Sequence, residues 1–182
     1  RSGFVGVNVT VPHKEAAFAL CAEIDEDARG TGAVNTLVFE EGRIAGRNTD
    51  VRGFKASLRE ALGADAASKG PVVVLGAGGA SRGVVRALQQ AGAPEIRMLN
   101  RGRARAETLA AAFGPAAKIR VFDWGDWADA FAGARLLVNT TSLGMVGKDA
   151  LNVPLDALPD NAAVADIVYN PLQTGLLRAA QA

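Results

Sequence analysis

Lys14 is the residue of this 182-residue chain best placed to do chemistry. It ends the stretch Gly6-Val7-Asn8-Val9-Thr10-Val11-Pro12-His13-Lys14, where alternation sends Asn8 and Thr10 to one face and the three valines to the other. Pro12 stops the strand, and the run from Lys14 to Ala22 reads as a helix with the lysine in its first turn. The positive end of a helix dipole disfavours a cation, so this ammonium calls for a facing carboxylate or an electron-rich ligand. Taken alone, it would read as a solvated surface lysine. Asp50 offers the carboxylate, in Gly46-Arg47-Asn48-Thr49-Asp50, where a strand ends and a helix starts. Either Thr49 or Asp50 stands near an N-cap there, and capping is the ordinary use of such an Asp. An ammonium hydrogen-bonded to a carboxylate is also a positioned proton donor, which a carbonyl oxygen needs as it becomes an alkoxide.

What would make that oxygen an alkoxide is suggested further along the chain. In Val72-Val73-Val74-Leu75-Gly76-Ala77-Gly78-Gly79-Ala80-Ser81-Arg82-Gly83 a buried strand precedes a glycine loop and a helical pattern follows it, the context of a dinucleotide site. Gly76 allows a tight turn, Gly78 lets the backbone approach a pyrophosphate, and the helix N-terminus supplies free N–H groups. The third glycine of the usual pattern falls at Ser81, so Ala80 and Ser81 make this a variant that still permits close helix packing. The bland reading is a tight strand-to-helix turn. The next strand ends in Met98-Leu99-Asn100-Arg101-Gly102-Arg103-Ala104-Arg105, with no acid for the ribose hydroxyls of NAD. Arginines in its place suit a 2'-phosphate through charge-assisted contacts, so NADP is the expected cofactor.

Two later loops lie at the carboxyl ends of strands, where open α/β sheets bind ligands. They are Asn139-Thr140-Thr141-Ser142-Leu143-Gly144-Met145 and Asp166-Ile167-Val168-Tyr169-Asn170-Pro171. Met145 and Ile167 are placed to pack on a nicotinamide ring, and the hydroxyl of Tyr169, the only tyrosine, to bond a substrate. Ordinary capping by Asn, Thr and Ser competes with that reading.

Elements able to position these groups need a core, and nearly half of the chain is apolar, enough for buried cores. A net charge of +1 with mixed signs gives no basic face for nucleic acid, and no apolar run is long enough to span a membrane. Cys21 is the only cysteine and His13 the only histidine, which excludes disulfides, argues against a His/Cys metal site and fits a reducing cytoplasm. Cys21 reads as packed rather than reactive. The chain starts at Arg1 and opens almost directly on a strand, so it reads as a fragment.

Residues 1–52 hold a strand (Phe4 to Val11), the helix from Lys14 and a hairpin of Ala33 to Phe39 with Ile44 to Asn48, a thin core for a partial substrate domain. Asp50 to Leu62 has helical spacing, and 53–70 reads as connecting helix and linker. From 71 to 172 strands and helices alternate: Val72 to Leu75, Ser81 to Ala91, Ile96 to Leu99, Arg103 to Phe113, Ile119 to Phe122, Leu136 to Val138 and Val164 to Val168. Non-alternating apolar strands between helices indicate a parallel sheet covered on both faces. The expected fold is therefore α/β, a Rossmann-type doubly wound parallel sheet plus a smaller, incomplete α/β substrate domain, with 173–182 starting a helix that returns to it.

The ordered set Asn8-Val9-Thr10-Val11-Pro12-His13-Lys14, Gly32-Ala33-Val34-Asn35-Thr36, Asn48-Thr49-Asp50, Gly76-Ala77-Gly78-Gly79-Ala80, Asn100-Arg101, Asn139 to Met145 and Asp166-Ile167-Val168-Tyr169 resembles the shikimate dehydrogenase family along essentially the whole chain. The resemblance implies reversible, NADPH-dependent reduction of 3-dehydroshikimate to shikimate in chorismate and aromatic amino acid biosynthesis, by a cytoplasmic monomer or homodimer. It further implies Lys14 as catalytic acid/base and Asp50 as its partner and substrate ligand. Thr10, Asn35 and Tyr169 would bind substrate, Glu26 would be a further cofactor-side contact, and Asn100, Arg101 and Arg105 would clamp the 2'-phosphate. The family's amino-terminal serine motif and carboxyl-terminal stretch are not in this sequence. The rivals are a quinate/shikimate dehydrogenase with NAD or dual cofactor use, and a non-catalytic nucleotide-binding homologue.

Overall fold

The computed structural model describes residues 3–182; the first two residues of the expected 1–52 domain lie outside them. Nine strands form two sheets among the described residues. The first part of the chain runs β1 (Gly6–Asn8), α1 (Lys14–Phe18), β2 (Glu23–Ile24), α2 (Glu26–Thr31), β3 (Thr36–Glu40), β4 (Arg43–Arg47) and α3 (Asp50–Leu62). Its sheet has the order β1-β3-β4-β2, with β1 and β4 antiparallel to β3 and β2 parallel to β4. Ala17, Ala28, Val34 and Leu37 form its buried apolar cluster, while Phe4, Val5 and Leu20 are exposed.

The second part runs β5 (Val72–Leu75), α4 (Gly79–Gln90), β6 (Ile96–Leu99), α5 (Arg103–Phe113), β7 (Ile119–Phe122), α6 (Trp127–Phe131), β8 (Leu136–Asn139), β9 (Ala163–Asp166) and α7 (Gly175–Ala180). All its strands are parallel, in the order β7-β6-β5-β8-β9. The uninterrupted apolar strands divide with a period of two. Val72, Val74, Met98, Leu136 and Val138 pack with Val84, Val85 and Leu88 of α4 on one face. Val73, Leu75, Leu99 and Leu137 pack with Phe131 and Leu176 on the other. The strand order reverses between β6 and β8 on either side of β5, so the crevice at the carboxyl end of β5 is where a ligand fits. The α/β class with a doubly wound parallel sheet and a smaller region is as the sequence implies.

Several boundaries differ. The strand expected over Phe4 to Val11 is only Gly6–Asn8 by ladder pairing, although Val9 N–H still bonds Asn35 O and Thr10 O accepts from His13 N–H in the turn that follows. The helix expected to reach Ala22 stops at Phe18, where tight turns at Leu20 and Cys21 lead into β2. Helix α2 is missing from the sequence reading despite clear signals: Asp25 caps Ala28 N–H, acids fill the first turn, and Gly32 closes the helix at φ 63°. The segment 173–182 does form a helix, α7, which buries Leu176 against the parallel sheet. Within the connecting helix and linker of 53–70, Leu58 and Ala67 are buried in the core of the parallel sheet. Among the described residues no helix is long and apolar enough to cross a membrane.

Candidate active site

Lys14 and Asp50 each open a helix, and the fold brings these two helix starts together. The ammonium Nζ donates to Asp50 Oδ2 at 2.7 Å, and the lysine side chain is 11% exposed against 32% for the aspartate. Helix α1 has only five residues, so the dipole opposing Lys14 is short; Asp50 lies at the favourable end of the thirteen-residue α3. Neither Thr49 nor Asp50 makes the side-chain cap that is the ordinary reading of this turn. The Asp50 carboxylate is held by Lys14 on one oxygen and by Asn35 Nδ2 on the other, at 2.8 Å.

The polar residues around the pair are fully committed. Asn35 Nδ2 also donates to Thr49 Oγ1 at 2.8 Å, and Asn35 Oδ1 accepts from Thr49 N–H, so both amide hydrogens of Asn35 are engaged. Asn48 is 1% exposed: it donates to Ala33 O and Thr31 Oγ1 and accepts Asp50 N–H at 3.0 Å. Asn48 thus fixes the first turn of α3 from below, a role that the sequence reading does not assign. A buried amide able to use all its partners is the signal that identifies it, and it needs the folded neighbours to be seen. Thr10 is exposed on the turn before α1.

Across from this pair lies the glycine loop. Gly76 adopts φ 103°, and a Cβ there would meet Thr140 Oγ1 at 2.9 Å, so both conformation and space demand glycine. Gly78 caps α4 in an extended conformation with open space around it, and Gly79 is the first helical residue. Ser81 is fully buried, and its hydroxyl donates to Gly78 O. Arg105 reaches over the loop to donate from Nε to Ala77 O at 2.8 Å. Asn100 Nδ2 donates to Gly102 O, which shapes the turn after β6, and Arg101 is exposed. Arg103 is paired with Asp123 and Glu107, each at 2.8 Å, which raise its pKa above the ordinary guanidinium value. Of the three arginines, Arg103 is the one least free to take a phosphate.

The loops after β8 and β9 meet where Val146 N–H donates to Asn170 O. Asn139 Nδ2 donates to Asp166 Oδ1, and Thr174 Oγ1 to Asp166 Oδ2, tying both strand ends to α7. Met145 is partly exposed on the first loop, Ile167 packs against the sheet core, and Tyr169 is exposed. Glu26 is not brought to the glycine loop. It pairs at 3.4 Å with Arg86, which lies two turns along α4 from Gly79, roughly 10 Å of helix. Helix α2 packs alongside the body of α4 and holds Glu26 there.

Beside the Arg86–Glu26 pair, Gln90 Nε2 of α4 donates to Asp27 Oδ1 at 2.9 Å across the two regions. Arg82 of α4 donates to Thr31 O at 3.0 Å and to Glu15 Oε2 at 3.2 Å. The same face of α4 presents Gly79 to the Lys14 side chain and Gly83 to Asp50. The Lys14–Asp50 pair therefore sits on the helix whose first turn follows the glycine loop.

Residues 1–37 match the family model described as the shikimate dehydrogenase substrate binding domain, and residues 60–146 match that of shikimate / quinate 5-dehydrogenase. A shikimate dehydrogenase (NADP(+)) of Paramagnetospirillum magneticum is 52% identical over the whole chain. The chain spans 66% of that relative's length. The structure of a shikimate 5-dehydrogenase from Thermus thermophilus in complex with NADP(H) and shikimate aligns with TM-score 0.83 and 41% identity, over 99% of this chain and 64% of that one. A quinate dehydrogenase from Corynebacterium glutamicum in complex with NAD aligns with TM-score 0.87 and 35% identity, over 98% and 64%. The first matched model falls on the mixed sheet and the second on the parallel sheet, and the chain belongs to the shikimate dehydrogenase family.

Proposed function

We propose that this chain carries the NADPH-dependent, reversible reduction of 3-dehydroshikimate to shikimate, a step of chorismate and aromatic amino acid biosynthesis. The observation that carries the reading is the 2.7 Å Lys14–Asp50 pair seated against the helix of the glycine loop. Residues 1–52 act as the substrate region and 71–172 as the dinucleotide region. The protein works in the cytoplasm as a monomer or homodimer.

The residues present fit a dinucleotide phosphate. Open space at Gly78 leaves room for a pyrophosphate beside Ala77, Gly79 and Ala80, and Gly76 makes the turn that clears it. No acid stands at the end of β6, where Asn100, Arg101 and Arg105 take a 2'-phosphate. Met145 and Ile167 line the nicotinamide side. NADPH, when bound, supplies the hydride for the carbonyl carbon.

Lys14 holds a proton at the carbonyl oxygen and delivers it as negative charge develops there. Asp50 keeps the ammonium oriented and, with its exposed edge, accepts from a substrate hydroxyl. Thr10, Asn35 and Tyr169 complete the substrate contacts, Asn35 by exchanging its bond to Thr49. In the oxidation direction, Lys14 takes the proton back.

The rival is a quinate/shikimate dehydrogenase using NAD or both cofactors, as the Corynebacterium glutamicum neighbour is a quinate dehydrogenase in complex with NAD. Initial rates with shikimate and quinate against NADP and NAD separate the two. The proposal expects shikimate and NADP to be preferred, and a clear NAD preference overturns the cofactor assignment. Arg105→Ala is expected to raise the KM for NADPH about tenfold or more, as charge-assisted contacts are lost, and to leave that for NADH unchanged.

A further inference from the structure

The catalytic pair rests on two glycines one turn apart on α4, and the two contacts are not alike. A Cβ at Gly79 would stand 3.5 Å from Lys14 Cβ, an ordinary contact. A Cβ at Gly83 would stand 2.9 Å from Asp50 Cβ, with Asp50 C and Val51 N at 3.8 Å. Unbonded carbons are comfortable at about 3.5–4.0 Å. Because a Cβ is fixed to the backbone, turning the Asp50 side chain gives no relief, and the first turn of α3 would have to move. Gly83 is buried in mid-helix, so neither a turn nor a cap explains it.

We propose that Gly83 is a positioning residue acting through Asp50. Its missing Cβ lets the start of α3 seat against the dinucleotide helix at the depth where Asp50 Oδ2 meets Lys14 Nζ. Ser81, at the place of the third glycine in the usual fingerprint, is accommodated within its own turn. The close-packing demand has moved to Gly83, where it serves the catalytic carboxylate rather than the underlying strand. The turnover readout of this inference rests on the proposed function.

Gly83→Ala tests it, with Gly53→Ala as control, since Gly53 is an exposed residue of α3 with nothing within 4 Å of the place a methyl would take. Both substitutions raise helix propensity. Gly83→Ala is expected to lower kcat about 100-fold, the scale of an ångström misplacement, with the KM for NADPH near wild type. Gly53→Ala is expected to leave both unchanged. Acylation of Lys14 by an amine reagent, followed by mass spectrometry with Lys55 as internal reference, is expected to be faster in Gly83→Ala because the carboxylate has withdrawn.

The cycle with Asp50→Gly isolates the route of the effect. Adding Gly83→Ala to Asp50→Gly removes the colliding Cβ and is expected to cost nothing further in residual turnover or thermal midpoint. An equal further loss in that background overturns the proposal, as do wild-type kcat and wild-type Lys14 labelling in Gly83→Ala. Should Gly83→Ala not fold, recovery of folding in the double variant supports it and failure to recover overturns it. Absence of turnover in the wild-type protein would remove the proposed function, and Lys14 labelling would then decide the role of Gly83 alone.

Discussion

The two sheets solve the same problem of holding a reactive group still by different means. The parallel sheet is buried on both faces, with α4 and α5 on one side and α6 and α7 on the other. Each fully buried Val or Leu there contributes about 1.5–3 kcal/mol, and the glycine loop hangs from that frame. The mixed sheet has the small cluster of Ala17, Ala28, Val34 and Leu37, and leaves Phe4, Val5 and Leu20 exposed. Its active turn is fixed by polar side chains instead: Asn48 under α3, Asn35 across Thr49 and Asp50, and Asp25 capping α2. A dry two-faced core tolerates a conformationally demanding loop, whereas a thin core relies on directional bonds to keep a carboxylate within 2.7 Å of an ammonium.

That contrast is most sharply tested by Lys14→Ala. If chemistry belongs to the mixed sheet and dinucleotide binding to the parallel one, turnover falls about 10²–10⁴-fold while NADPH affinity, read by fluorescence titration, stays near wild type. Equal losses in both would merge the two regions into one functional unit. Gly76→Ala reverses the pattern. Left-handed backbone and collision with Thr140 cost about 1–3 kcal/mol, so NADPH binding and the thermal midpoint both fall.

Asn48→Ala probes the directional bonds. It strips Ala33 O and Asp50 N–H of a buried partner, an expected destabilisation of about 1–3 kcal/mol in a denaturant titration, with a drop in kcat smaller than that of Lys14→Ala. A stability change within error would show that the thin core, rather than the polar network, holds the turn.

The smallest effect is expected at Cys21, whose thiol donates to Ala17 O and whose pKa burial pushes up. The fold favours the protonated thiol, so this contribution is complete below the ordinary thiol pKa and is lost as pH rises above it. Stability measured from neutral to alkaline pH should therefore decline less in Cys21→Ala than in wild type.

Legibility in the sequence follows the range of the forces involved. Helix α3 is legible to its end residues because its apolar spacing and the strand before it are local signals. Strand β5, its loop and α4 are legible because glycine placement constrains a backbone only a few residues long. Strand β2 escapes because two residues of parallel pairing leave no pattern, and α6 because one turn of helix is shorter than any period. The pairing of Glu26 with Arg86 escapes for another reason: a position carried over by resemblance says nothing about how α2 packs.

By itself, the sequence determined the chemistry available to this protein: one lysine after a strand-stopping proline, one aspartate at a helix start, a glycine loop and an arginine-bearing turn. Those are properties of residue type and of short backbone segments. The tertiary structure alone decided that Lys14 and Asp50, 36 residues apart, meet at hydrogen-bonding distance. It alone showed that both of Asn35's amide hydrogens are engaged and that a Cβ at Gly83 would stand 2.9 Å from Asp50 Cβ. The physical reason is that these facts depend on the depth to which α3 and α1 settle against α4, and that depth is set by close packing between segments the sequence holds far apart.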